Sequence, residues 1–303
     1  MQWPFSSSTQ RRSEPGPRLL DGPLLAALQG LSLPTRRARG AVPGQHPGAQ
    51  AGRGEDFFQH RGYVRGEDLR AIDWRASART GHLLVKERHR PLRQPLLLLL
   101  DLSASMDFPP APASKALCAR RLAAALTTLA LRRGDPVTML GLAAGGFRGV
   151  GRVVPQGRSA ELAEALASRV PACAGAEVAE ALSRLPAASL PGSHVVLISD
   201  LYGDEARLGA ALSALVRTGA ALTALHVLSA AERILPAASA LEDAETGEEQ
   251  AIAPGAAADF AVRVGTWVER LREGVVRAGA EWVAATPDLD AGRTLRRWLG
   301  GAA

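Results

Sequence analysis

Two short apolar runs, each closed by an acid, constrain this chain more than any other feature. Residues 95–101 read PLLLLLD and residues 194–200 read HVVLISD. Neither run alternates apolar with polar residues, so neither suits a strand with one wet face. A run without alternation suits a strand covered on both faces, as in a parallel sheet. Helical and strand patterns then alternate along the chain. Ser114 caps the helical pattern KALCARRLAAALTTLALRRG, which Gly134 closes. Residues 136–143 read as a strand, Gly145-Gly146 as a tight turn and residues 147–154 as its hairpin partner. Helices follow at 158–168, 177–185, 204–217, 256–277 and 290–299, strands at 220–228 and 280–285, and a small hairpin at 240–252. This order predicts an α/β fold with a doubly wound, mostly parallel sheet.

The first third reads differently. Residues 1–17 are rich in Ser, Pro and Arg and are expected to form a disordered tail. Residues 20–30 suit a short helix, with Asp21 near its N-cap and Pro23 in its first turn. Residues 34–54 are rich in Gly, Pro and Arg and read as a loop. The expected division is a tail over 1–17, an irregular and partly β segment over 18–93 packed on the sheet, and the sheet domain over 94–303. Residues 55–90 are dense in Arg, Asp and Glu around Tyr63 and Trp74. Arginine forks meet carboxylates bidentately and stack on rings, so a buried ion-pair and stacking network is expected there, with Asp73 and Trp74 structural. A partner-docking surface is the alternative.

The formal charge is +6, and it is uneven. Six Arg face only Glu14 and Asp21 in residues 1–50, and ten Lys or Arg face six acids in 51–93, which leaves the remainder net acidic. A basic segment suits an acidic partner surface, yet no basic-aromatic module of a nucleic-acid binder is present. The two cysteines, Cys118 and Cys173, have no metal-ligand spacing and suit a reducing compartment. No apolar stretch is long enough for a membrane span, and the first residues lack the apolar core of a secretory signal. The expected location is the cytoplasm.

In a doubly wound sheet, ligands gather at the carboxyl ends of strands where the strand order reverses. Asp101 and Asp200 close the two apolar strands, and Ser103 and Ser105 follow Asp101 at alternate positions. Such a cluster presents only oxygens, which suit Mg²⁺, with Mn²⁺ or Ca²⁺ as alternatives. The bland reading has the serines capping a turn and Asp101 accepting backbone N–H groups.

LLLLLDLSASM resembles the first motif of the metal-ion-dependent adhesion site of von Willebrand factor A domains, and ISDLYGD resembles the later strand carrying that site's distal Asp. The resemblance implies a site on Asp101, Ser103, Ser105 and Asp200 whose metal keeps a coordination position open for a partner's carboxylate. In that family a loop Thr completes the site. The matching stretch here is Gly175–Leu182, where Ala176 stands at the Thr position, so the implied site is degenerate and its Mg²⁺ binding weak. A second resemblance runs over residues 18–303. The segment GRGEDFFQHRGYVRGEDLRAIDWRASARTGHLLVKE is similar to the signature of the bacterial family called domain of unknown function 58, through Arg61, Tyr63, Gly66, Asp68, Arg70, Ile72, Asp73, Trp74, Ser77, Ala78 and Arg79. That family places this segment before a von Willebrand factor A-like domain. It implies work alongside a MoxR-type AAA+ ATPase, in assembly or chaperone-like roles.

A binding or adaptor protein is therefore expected, with a metal-independent structural adaptor as the alternative. A metal-dependent hydrolase fits less well. Phosphatases with a strand-end nucleophilic Asp place a general acid two residues later, and Ser103 stands there with no acidic proton to give at neutral pH.

Overall fold

The computed structural model describes residues 18–35, 51–64, 68–89, 93–110, 112–155, 157–170, 177–187, 190–235, 240–242, 248–252 and 256–300. The tail expected over 1–17, Cys173 and the Gly175-Ala176 loop lie outside the described residues. In chain order the elements are α1 (Gly22–Ala27), β1 (Ala51–Gly62), α2 (Trp74–Thr80), β2 (Leu84–His89), β3 (Leu96–Asp101), α3 (Lys115–Arg133), β4 (Val137–Ala143), β5 (Gly146–Val153), α4 (Ser159–Ala167) and α5 (Val178–Ser183). They continue with β6 (His194–Ser199), α6 (Glu205–Arg217), β7 (Ala221–Val227), β8 (Ala240–Glu242), β9 (Glu249–Ala251), α7 (Ala256–Arg277), β10 (Glu281–Ala285) and α8 (Ala291–Leu299).

The six-stranded sheet runs β10-β7-β6-β3-β4-β5, with β5 antiparallel at one edge and every other pairing parallel. The chain winds from β3 outward through β4 and β5, then returns to β6 and winds the other way. This is the doubly wound sheet that the alternating pattern predicts, with the von Willebrand factor A-like architecture that the resemblance implies. The order reverses between β3 and β6.

The uninterrupted leucine run of β3 has a direct structural cause. Leu96, Leu98 and Leu100 join one core with α1, α3, α4 and α8, whereas Leu99 joins a second core with α5, α6 and α7. Successive side chains of a strand point to opposite faces, so a strand covered on both faces needs apolar residues at every position. Helix α3 is the central cover. Ser114 accepts a hydrogen bond from the Leu117 N–H at its start, and Gly134 ends it at φ +92°.

The chain divides into two compact units. Among the described residues, those from 18 to 35 group with those from 94 onward into one unit, and those from 51 to 93 form the other. Leu24 and Leu28 of the short helical segment join the core of the sheet unit, and Arg121 pairs with the Asp21 carboxylate. A short amphipathic helix cannot bury its apolar stripe alone, and α8 supplies the partner surface here.

The second unit is built on the antiparallel pair β1 and β2, so β1 begins inside the stretch expected to be a loop. The Asp73 carboxylate caps α2 by accepting from the Ala76 N–H and lies 2.9 Å from His60 Nε2. The backbone hydrogen bond from Ala76 and the His60 contact hold this carboxyl below its usual range. The buried stacking network expected around Trp74 is corrected, because Trp74, the first residue of α2, is 62 % exposed.

Candidate functional site

The carboxyl ends of β3 and β6 lie side by side because Leu100 is in register with Ile198. Asp101 ends β3 and Asp200 stands one residue beyond β6, so both acids enter one crevice where the strand order reverses. All four residues expected to share a site, Asp101, Ser103, Ser105 and Asp200, meet there. Ser103 Oγ is 3.1 Å from Ser105 Oγ, and Ser105 Oγ donates to Asp200 Oδ2 at 2.7 Å.

Both oxygens of Asp101 are already engaged. The Ser103 N–H donates to Oδ1 at 2.8 Å and the Ser199 hydroxyl donates to Oδ2 at 2.5 Å. Asp101 is buried, and burial first, then the Asp200 carboxylate, push its pKa up to about 7. The Ser199 hydroxyl also accepts from the Leu201 N–H at 2.8 Å. Leu201 sits at φ +57°, a left-handed conformation that a leucine adopts only where its surroundings impose it.

A cation that the motif did not suggest completes the crevice. Lys115, the first residue of α3, has no solvent exposure at all. Its ammonium donates to Asp200 Oδ2 at 2.8 Å and to Glu232 Oε1, and it stands 4.9 Å from the centroid of the Tyr202 ring. Three donors thus meet two carboxylates and a ring face, which satisfies a charge that burial would otherwise penalise heavily.

Glu232 is itself fixed. Its Oε2 accepts from the Ser229 N–H at 2.8 Å in a capping box, and the Tyr202 hydroxyl donates to Oε1 at 3.2 Å. Tyr202 stacks on Trp267 at 5.1 Å between centroids and, at 42 % exposed, forms the open side of the crevice. Desolvation and then the Glu232 and Asp200 carboxylates hold its phenol above the usual value.

The oxygen pair of Ser103 and Ser105 suits a hard cation, but the crevice as a whole does not fit one. The Asp200 oxygen that faces the serines already carries an ammonium at 2.8 Å, and both oxygens of Asp101 already accept hydrogen bonds. A divalent ion would have to share Asp200 with a buried like charge. Residue 176, which lies outside the described residues, has no hydroxyl to contribute.

Lys115, Ser199, Tyr202 and Glu232 were missed by sequence reasoning. Two faint signals existed. Lys115 follows a helix-capping serine in a chain with only one other lysine, Lys86, and Ser229-Ala230-Ala231-Glu232 has capping-box spacing. Two histidines, His194 and His226, are buried in the sheet. His194 Nε2 is 2.9 Å from Thr223 Oγ1, and His226 stacks on Trp282 at 4.7 Å. Burial holds His226 down to about 4. Among the described residues no helix is long and apolar enough to cross a membrane.

Uncharacterized proteins of Mycobacterium tuberculosis and Mycobacterium bovis are 30% identical over 199 residues, which covers 63% of this chain and 56% of theirs. The chain thus spans little more than half the length of these curated relatives. Among solved structures, the conserved hypothetical protein BatB of Bacteroides thetaiotaomicron is 17% identical, with a TM-score of 0.44 over 69% of this chain and 98% of that one. A von Willebrand factor type A protein of Catenulispora acidiphila is 15% identical, with a TM-score of 0.42 over 73% of this chain and 43% of that one. At such scores the fold assignment rests on the strand order and not on these likenesses. The family described as protein of unknown function DUF58 matches residues 59–265, and the chain belongs to that family.

Proposed function

We propose that this chain is a non-enzymatic binding module that docks a protein partner at the open side of the β3–β6 crevice. The observation that carries this reading is the continuous chain of polar contacts there. Ser199, Asp101, Ser103, Ser105, Asp200, Lys115, Glu232 and Tyr202 engage one another in turn, so the groups hold a shape instead of standing ready for turnover. The exposed aromatic edge of Tyr202 suits a protein contact better than a small substrate.

The partner proposed is a MoxR-type AAA+ ATPase, in assembly or chaperone-like work, in the cytoplasm, where isolated thiols stay reduced. Family resemblance and the net-basic first third support this choice. A pull-down with a purified ATPase of that type, with and without nucleotide and Mg²⁺, tests it, and no binding in any state counts against it. Turnover of a generic phosphate ester that disappears in Asp101→Asn would instead favour a hydrolase.

A further inference from the structure

We infer that Lys115 is the resident cation of the β3–β6 crevice, standing in for the metal of an adhesion-type site, so that the crevice is assembled without any metal ion. The inference rests on the reading of this crevice as the binding site only for its importance, since its test needs no partner.

The first support is the placement of the side chain. Ser114 fixes the start of α3 through its bond with Leu117, and side chains in a helix lean toward its N-terminus. The first residue of α3 therefore reaches back over the loop that follows β3, where Ser103 and Ser105 lie. The second support is coordination. The ammonium is held by Asp200, Glu232 and the Tyr202 ring, and it has no solvent exposure. These holders come from two segments, 200–202 and 232, both far from position 115 in sequence, and Glu232 is locked by its own capping box. An ammonium that strayed onto Asp200 from the surface would have no such shell.

Residue choice is the third support. The chain uses Arg at every basic position except Lys86 and Lys115. Arg presents a planar fork, whereas Lys presents a compact point charge with three donors, and only the latter resembles a small spherical cation. Position 115 is the place in the sheet unit where that difference decides whether two carboxylates and a ring can share one charge.

The charge logic is equally direct. Asp101 and Asp200 enter one crevice at the carboxyl ends of neighbouring strands, so their charges face each other there. A carboxylate pair of this kind needs a nearby cation, and Lys115 supplies it from within the chain. The Asp200 oxygen that a metal would share with the serines is the one the ammonium holds.

Calorimetric titration with MgCl₂ and thermal melts in MgCl₂ or EDTA test the inference on the full chain. Wild type should show no binding heat, and its Tm should be the same in about 10 mM MgCl₂ and in EDTA. Lys115→Ala vacates the cation position, so it should gain Mg²⁺ dependence, with a Tm rise of about 5 °C or more in the same MgCl₂. Should Lys115→Ala fail to fold in EDTA, recovery of the folded protein in MgCl₂ is the equivalent result. Two results would overturn the inference. One is millimolar or tighter Mg²⁺ binding by wild type that Asp101→Ala removes. The other is a Lys115→Ala protein, folded or not, that Mg²⁺ neither stabilises nor rescues.

Discussion

Lys115→Met removes one positive charge from a fully buried position while keeping most of the length of the side chain. Asp200 then keeps only the Ser105 hydroxyl and the Tyr202 N–H, and Glu232 keeps the Ser229 N–H and the Tyr202 hydroxyl. Removing one partner of a buried pair costs about 3–5 kcal/mol, because an uncompensated charge is left behind. For a protein of this size that lowers Tm by roughly 10 °C. Asp200→Asn alone should also destabilise, since it strips the ammonium of one of its two carboxylates. In the double variant the lost charges offset each other, so its cost should fall short of the sum by about 1–3 kcal/mol. Urea unfolding followed by tryptophan fluorescence reads all four proteins, and Trp267 is a local reporter because it stacks on Tyr202. A Lys115→Met protein within about 0.5 kcal/mol of wild type would refute the reasoning. So would strict additivity, which would mean that Asp200 does not hold the ammonium.

Three other expectations follow from particular contacts. Trp74→Ala should leave stability within about 0.5 kcal/mol of wild type, as for an exposed side chain, and a large loss of Tm would show that the ring is buried in solution. Burial holds neutral His226 down to about 4, below its ordinary 6.5, so protonation favours the unfolded chain; its contribution is full above pH 6.5 and falls by about 3 kcal/mol as pH drops toward 4. His226→Gln should flatten urea midpoints between those pH values, and an unchanged pH slope would exclude His226 as the cause. A Cβ on Gly292 would stand 2.5 Å from the Ala27 Cβ and 2.9 Å from Asp290 Oδ2, so Gly292→Ala should force α8 off α1 and cost about 1–3 kcal/mol in a thermal melt. A Gly292→Ala protein as stable as wild type would show that α1 is not seated there.

The sheet was legible in the sequence because its signals are local. An unbroken leucine run, a capping serine and a closing glycine act within a few residues of one another, and each of them predicted an element close to the observed bounds. The meeting of Asp101 with Asp200 was legible too, since an acid closing each of two parallel strands lands on the same edge of the sheet wherever the strands are neighbours. Trp74 was misjudged because an aromatic ring in a charged segment is buried or bare according to what packs over it, and nothing local encodes that. The assignment of α1 to the sheet unit is of the same kind, being decided by α8 at the far end of the chain. Lys115 is the sharpest instance. Its two carboxylate partners lie 85 and 117 positions away, one just beyond β6 and the other in the short helical turn after β7. Sequence periodicity speaks only for neighbours along one element, so it placed Lys115 on a helix. Only the folded sheet, by bringing three strand ends to one edge, turned that lysine into the charge at the centre of the site.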